Sequence, residues 1–274
     1  MTTTQDLLAA VAGGIEVHDL ARPMVTGMPQ SPNHPRYTLS MPRRHGDAVR
    51  ADGGSAANDL LLTGTHVGTH VDALGHVSHD GYVYGEVPAS DIQLGGRLSS
   101  HGIDEFPPTV SRGVMLDVPA ALGLDTCDPG YEITIGDLER TIETQGTPVG
   151  PGDVVLIRSG WGQRWDTGTD YLGLQSGVPG VSEEGAKWLA QADVLAAGAD
   201  SIAFECLPAG KGHALLPAHR VLLVEAGIHI IETLDLEGIA AAGVHEFVFV
   251  VAPLPLVGAT GSPVRPLAVV GADA

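Results

Sequence analysis

Four short stretches carry aliphatic and aromatic residues almost without interruption: GVMLDV (Gly113–Val118), DVVLIRS (Asp153–Ser159), IHIIETL (Ile228–Leu234) and EFVFVVAPL (Glu246–Leu254). Turn-forming residues bound each, and a short apolar run of this kind is the pattern of a strand buried on both faces. Other stretches space their apolar residues helically. TIGDLERTIETQG predicts a helix with Thr134 as N-cap and Gly146 just past its end, and SEEGAKWLAQAD one that starts at Ser182 with acids in its first turn. LPAHRVLLVEAG predicts a third, with Pro217 in the first turn and Gly227 as the stop. Strands and helices alternate loosely, which defines an α/β class. NDLLLTGT reads as a further strand and GATGSPVRP with Arg265 as a hairpin turn; ADSIAFE reads as a structural turn, with placement of Asp200 or Glu205 near a site as the alternative. The stretch MPQSPNHPRYTLSMPRRHGDAVRADGG shows no period and is expected to form irregular loops, so no role is legible for residues 26–57. The 37 glycines and 19 prolines punctuate short elements throughout, without a repeat or a linker, so one continuous domain is expected.

Composition narrows the function classes. Hydrophobic residues make up 43 % of the chain and charged ones 17 %, enough to bury a substantial core. A formal net charge of −19 repels phosphate backbones and anionic headgroups, which argues against nucleic acid and membrane partners and leaves a small-molecule substrate. Cys127 and Cys206 stand far apart without a CxxC, so reduced thiols in a cytoplasm are expected instead of disulfides or a thiolate metal site. The start, MTTTQDLLAAVAGGIEVHDL, lacks a basic leader region, and no segment supplies the ~18 apolar residues of a membrane span.

The candidate chemistry lies in THVGTHVDALGH, Thr65 to His76, which gathers His66, His70, His76 and Asp72 without a lysine or arginine. On a straight strand His66 and His70 would stand ~13 Å apart, and on a helix Asp72 would point about 200° away from His70. A bent segment converges His66, His70 and Asp72, and Gly64 and Gly68 give the backbone freedom to bend. Two imidazoles and a carboxylate are a ligand set for Zn²⁺, Mn²⁺ or Fe²⁺ that leaves positions open for water and substrate. Small neutral spacers also keep competing positive charge away from a dication. His79 and Asp80 nearby are alternative ligands. No GxGxxG, P-loop or GxSxG stands in a convincing context for nucleotide binding or serine hydrolysis.

HVGTHVDALGH resembles the HxGTHxDxxxH signature of the metal-dependent cyclase-like hydrolases, a family that includes kynurenine formamidases, isatin hydrolases and some lactone hydrolases. AHRVLLVEAGIHIIETLDL, PLPLVGATGSPVRPLAVV and VLIRSGW resemble later segments of the same family, so the likeness covers most of Leu60 to Val270. It implies one α/β domain of the swivelling β/β/α type, with a mixed sheet and irregular N-terminal loops. It further implies His66, His70 and Asp72 as ligands of one ion, His76 as general acid/base, and His219 and Glu232 as ligands of a second ion bridged through Asp72. Trp161, with Ser159, would line the substrate side. Leu74 and Val77 depart from the Pro and the aromatic residue that the family often has there, which leaves substrate identity open. The expected cofactor is one or two ions of Zn²⁺ or Mn²⁺ per subunit, and the expected assembly a homodimer or homotetramer. The expected activity is hydrolysis of an amide-type C–N bond in an N-formyl arylamine or cyclic amide. A lactone hydrolase with the same site, or a non-catalytic metal-binding protein of the same fold, is the alternative.

Overall fold

A computed structural model describes residues 3–272. Nine strands form one mixed sheet: β1 (Ile15–Asp19), β2 (His70–Asp72), β3 (Thr109–Asp117), β4 (Val154–Arg158), β5 (Ala196–Ala199), β6 (His229–Glu232), β7 (Glu246–Val251), β8 (Gly261–Pro263) and β9 (Leu267–Gly271). Their order across the sheet is β1-β9-β7-β3-β4-β5-β6-β2-β8. The four central strands, β3 to β6, run parallel, and the strands on either flank are antiparallel. The expected α/β class with a mixed sheet is therefore the one observed.

Central strands bury both faces, and alternation along each strand divides the core into two layers. Val114, Leu116, Val155, Ile157 and Ile230 pack on one side with Leu138, Leu189 and Leu222 from the helices. Met115, Leu156, Ile231, Phe247 and Phe249 pack on the other.

The helix over Ile135–Gln145 starts in a capping box between Thr134 and Asp137 and ends at Gly146 in the left-handed conformation. The helix over Glu183–Gln191 is capped by the Ser182 hydroxyl. After Pro217–His219 the third helix widens to π geometry over Arg220–Ala226 before Gly227 stops it.

Two expectations are corrected. Within the stretch read as irregular, Thr38–Arg43 is a strand, and it pairs with Asn58–Leu62 in a separate hairpin whose residues are all exposed. With neither face buried, that arm needs no hydrophobic period. Gly261–Pro263, read as part of a turn, is the edge strand β8, where Pro263 costs no ladder bond to an outer neighbour.

Candidate metal centre

Gly68, at φ +69°, reverses the chain just before β2 and turns His66 back over the strand. Its Nδ1 lies 2.6 Å from Asp72 Oδ1. Strand alternation puts His70 and Asp72 on one face of β2, and the β2–β6 register sets Glu232 directly opposite His70. His70 Nε2 consequently lies 3.4 Å from both Asp72 Oδ1 and Glu232 Oε2. The third helix brings His219, whose Nε2 is 3.4 Å from Asp72 Oδ2 and 3.2 Å from Glu232 Oε1. His76 follows β2 and stacks on His66 with ring centroids 3.8 Å apart.

Six residues separated by up to 166 positions thus converge. Five of them line a cavity of about 210 Å³, and Asp72 lies fully buried beneath it.

The donor atoms fall into two overlapping groups, His66–Asp72–His76 and His70–Asp72–Glu232, each with its atoms within 4.8 Å of one another. Asp72 is common to both, the position from which one carboxylate can bridge two ions. This grouping differs from the expected one, because sheet register draws His70 toward Glu232.

A dication suits these residues. Asp72 Oδ2 and Glu232 Oε1 are buried and form no hydrogen bond among the described residues. Buried acceptors left so are costly, and a cation among them removes the cost. Nitrogen and carboxylate oxygen donors without thiolate suit a divalent metal ion.

Ring orientation is set from behind. His70 Nδ1 donates to the Gly68 carbonyl at 2.8 Å and His219 Nδ1 to Glu205, so in both rings Nε2 faces the carboxylates. His66 Nε2 contacts Thr260 Oγ1 at 2.9 Å, which leaves Nδ1 facing inward.

The charges interact strongly. Burial opposes ionisation of Asp72, but His76 and His66, with the nearby His219 ring and a hydrogen bond from His66, hold its carboxyl well below the usual range. Burial likewise opposes the charged form of His70, yet the Asp72 and Glu232 carboxylates outweigh it and push the pKa up to about 10. His76 goes the other way. Burial, joined by the neighbouring His66 and His219, lowers it to about 4 against the pull of Asp72 and Glu232.

Other candidates lie elsewhere. Trp161 is fully buried, with its indole N–H donating to the Tyr171 carbonyl at 2.7 Å, and the Ser159 hydroxyl donates to Asp200 Oδ1 at 2.6 Å. Neither lines the cavity. His79 and Asp80 pair with each other in solvent. Leu74 and Val77 pack against the core. Of the two acids in ADSIAFE, Asp200 holds Ser159 while Glu205 reaches His219. The cavity also takes Ser31, Asn33, His34 and His213. His34 stacks over His66 at 5.3 Å, from a stretch whose only signal was the histidine itself.

The chain belongs to the putative cyclase family, whose model matches residues 18–206. It is 25 % identical to an isatin hydrolase of Roseibium aggregatum over 224 residues, 80 % of this chain and 77 % of that one. It is 26 % identical to a kynurenine formamidase of Geobacillus thermodenitrificans over 216 residues, 79 % of this chain and 81 % of that one. The crystal structure of a novel cyclase superposes with a TM-score of 0.84 at 27 % identity, covering 97 % of this chain and 93 % of the other. Isatin hydrolase A from Ralstonia solanacearum has the same fold, with a TM-score of 0.76 at 22 % identity over 98 % of both chains.

Proposed function

We propose that this protein is a metal-dependent hydrolase that opens an amide-type C–N bond, in an N-formyl arylamine or a cyclic amide fused to an aromatic ring. The observation that carries the reading is the convergence of His66, His70, Asp72, His76, His219 and Glu232, with two buried carboxylate oxygens left for a cation. The names of the relatives supply the bond class. A divalent ion, Zn²⁺ or Mn²⁺, supplies Lewis-acid polarisation of a carbonyl and acidifies water.

The protein's own residues do the rest. His66, His70 and Asp72, with His219 and Glu232, would hold one or two ions. Around a cavity of about 210 Å³, their side chains form the wall and carboxylate floor beside which the carbonyl would sit. His76, stacked on His66 at the cavity wall, takes a proton from the attacking water and returns it to the departing nitrogen. Formyl-kynurenine, isatin and small lactones, each assayed with added Mn²⁺ and Zn²⁺, test the reading. Turnover of an amide is the expected result; turnover of lactones alone would replace it with ester hydrolysis.

Assembly as at least a homodimer belongs to the same reading. Leu39, Met41, Leu60, Leu61 and Leu62 stand more than half exposed on the hairpin arm, and a two-stranded hairpin is marginal in water without cover. Light scattering is expected to give at least twice the 28.3 kDa of one chain, and a monomer mass would refute this. The free thiols Cys127 and Cys206 support a reducing compartment, the cytoplasm.

A further inference from the structure

Glu205 is a buried carboxyl with no place in the chemistry above. It is 1 % exposed and follows Phe204, whose backbone is held at φ +52°. The chain packs tightly here: a Cβ on Gly180 would lie 2.2 Å from the Glu205 carbonyl carbon. Both oxygens of its side chain are engaged by a single short segment. Oε2 accepts the backbone N–H groups of Ala218 at 2.6 Å and His219 at 3.2 Å, while Oε1 accepts Nδ1–H of the His219 ring. One side chain thereby holds the backbone and the ring of the same residue. On its far side that ring presents Nε2 to Asp72 Oδ2 and Glu232 Oε1.

We infer that Glu205 is the positioning residue of the centre: it sets the tautomer of His219, so that Nε2 is free of a proton and available to an ion. This rests on the metal-dependent reading above. Nδ1–H pointing at a carboxylate also raises the electron density at Nε2, strengthening it as a ligand. A capping role alone would not need the Oε1 contact, because the two backbone donors are satisfied by Oε2.

Glutamine separates the two roles. In Glu205→Gln the amide oxygen can still accept both backbone N–H groups. The amide nitrogen then faces Nδ1 and donates to it, so the imidazole proton moves to Nε2 and points at the ion. A residue that only caps the helix is well served by glutamine; a residue that sets the tautomer is not.

Titration calorimetry with ZnCl₂ and with MnCl₂ on wild type, Glu205→Gln, Glu205→Asp and Glu205→Ala tests this, with circular dichroism to verify the fold. Glu205→Gln and Glu205→Ala are expected to bind about 10–100-fold more weakly, and Glu205→Asp, which keeps a carboxylate, to recover part of the loss. A folded Glu205→Gln that binds both ions with wild-type affinity overturns the inference and leaves the metal-dependent reading intact. A wild type that binds neither ion overturns that reading, and this inference with it.

Discussion

Asp72 and His76 sit four residues apart and are expected to fail in different ways. Asp72 is fully buried and shared by both donor groups, so its loss removes a donor from each. His76 belongs to one group only and borders the cavity. Asp72→Ala is expected to abolish metal binding and activity together. His76→Ala is expected to retain metal and slow turnover by about 10²–10⁴-fold. Metal content by elemental analysis beside kcat distinguishes the two, and full activity in metal-free protein would contradict both. At this level the chain was informative where chemistry is dense in sequence. Four site residues fall within eleven positions around two glycines, a clustering that local reading detects. His34 was out of reach and Glu205 was legible only as one of two acids that could come near the site, because the meaning of a single polar residue depends on a neighbour in space.

Strand β8 shows how an element constrains the centre. Gly261 pairs with Asp72 across the ladder, and a Cβ there would meet His66 Cε1 at 2.6 Å and the Val71 carbonyl oxygen at 2.8 Å. The carbonyl is backbone held in the ladder and cannot move aside cheaply. Gly261→Ala is therefore expected to lower stability by about 1–3 kcal/mol and to weaken metal binding by displacing the His66 ring. Urea denaturation with metal titration checks this; a variant with wild-type midpoint and affinity would show that the ring relaxes freely. Strands β3, β4, β6 and β7 and the capped helices were readable from the chain, Thr134 to Gly146 being one case, whereas the small residues of the buried strand β5 carried no strand signal. The π-helical turn after His219 and the exposed hairpin were not, since neither leaves a period that burial would impose.

Across the molecule, acid is expected to act partly through His229. It packs edge-on against Phe106, centroids 4.7 Å apart, and burial lowers its pKa to about 4, with only Asp72 opposing. A histidine free in the unfolded chain binds a proton below pH ~6.5, whereas this one stays neutral in the folded protein until about pH 4. The stability it contributes is thus complete above pH ~6.5 and is lost as the pH falls through that window, by at most about 3 kcal/mol. In metal-free protein, His229→Gln should flatten the fall in urea midpoint between pH 6.5 and 4 relative to wild type. Parallel curves for the two would show that the ring is solvated when folded.

Taken alone, the chain determined the α/β class, strands β3, β4, β6 and β7 of the sheet, the capped helices and the histidine-rich turn around Gly68. Each is written in neighbouring residues: apolar runs, capping side chains, and imidazoles spaced around glycine. Tertiary structure decided the partnerships. Glu232 stands opposite His70 through the β2–β6 register, His219 reaches Asp72 because a helix packs behind that strand, and Trp161 is buried away from the cavity lining. Register and packing join residues more than 140 positions apart, and the energy that selects them comes from burial over the whole sheet, which no local pattern contains.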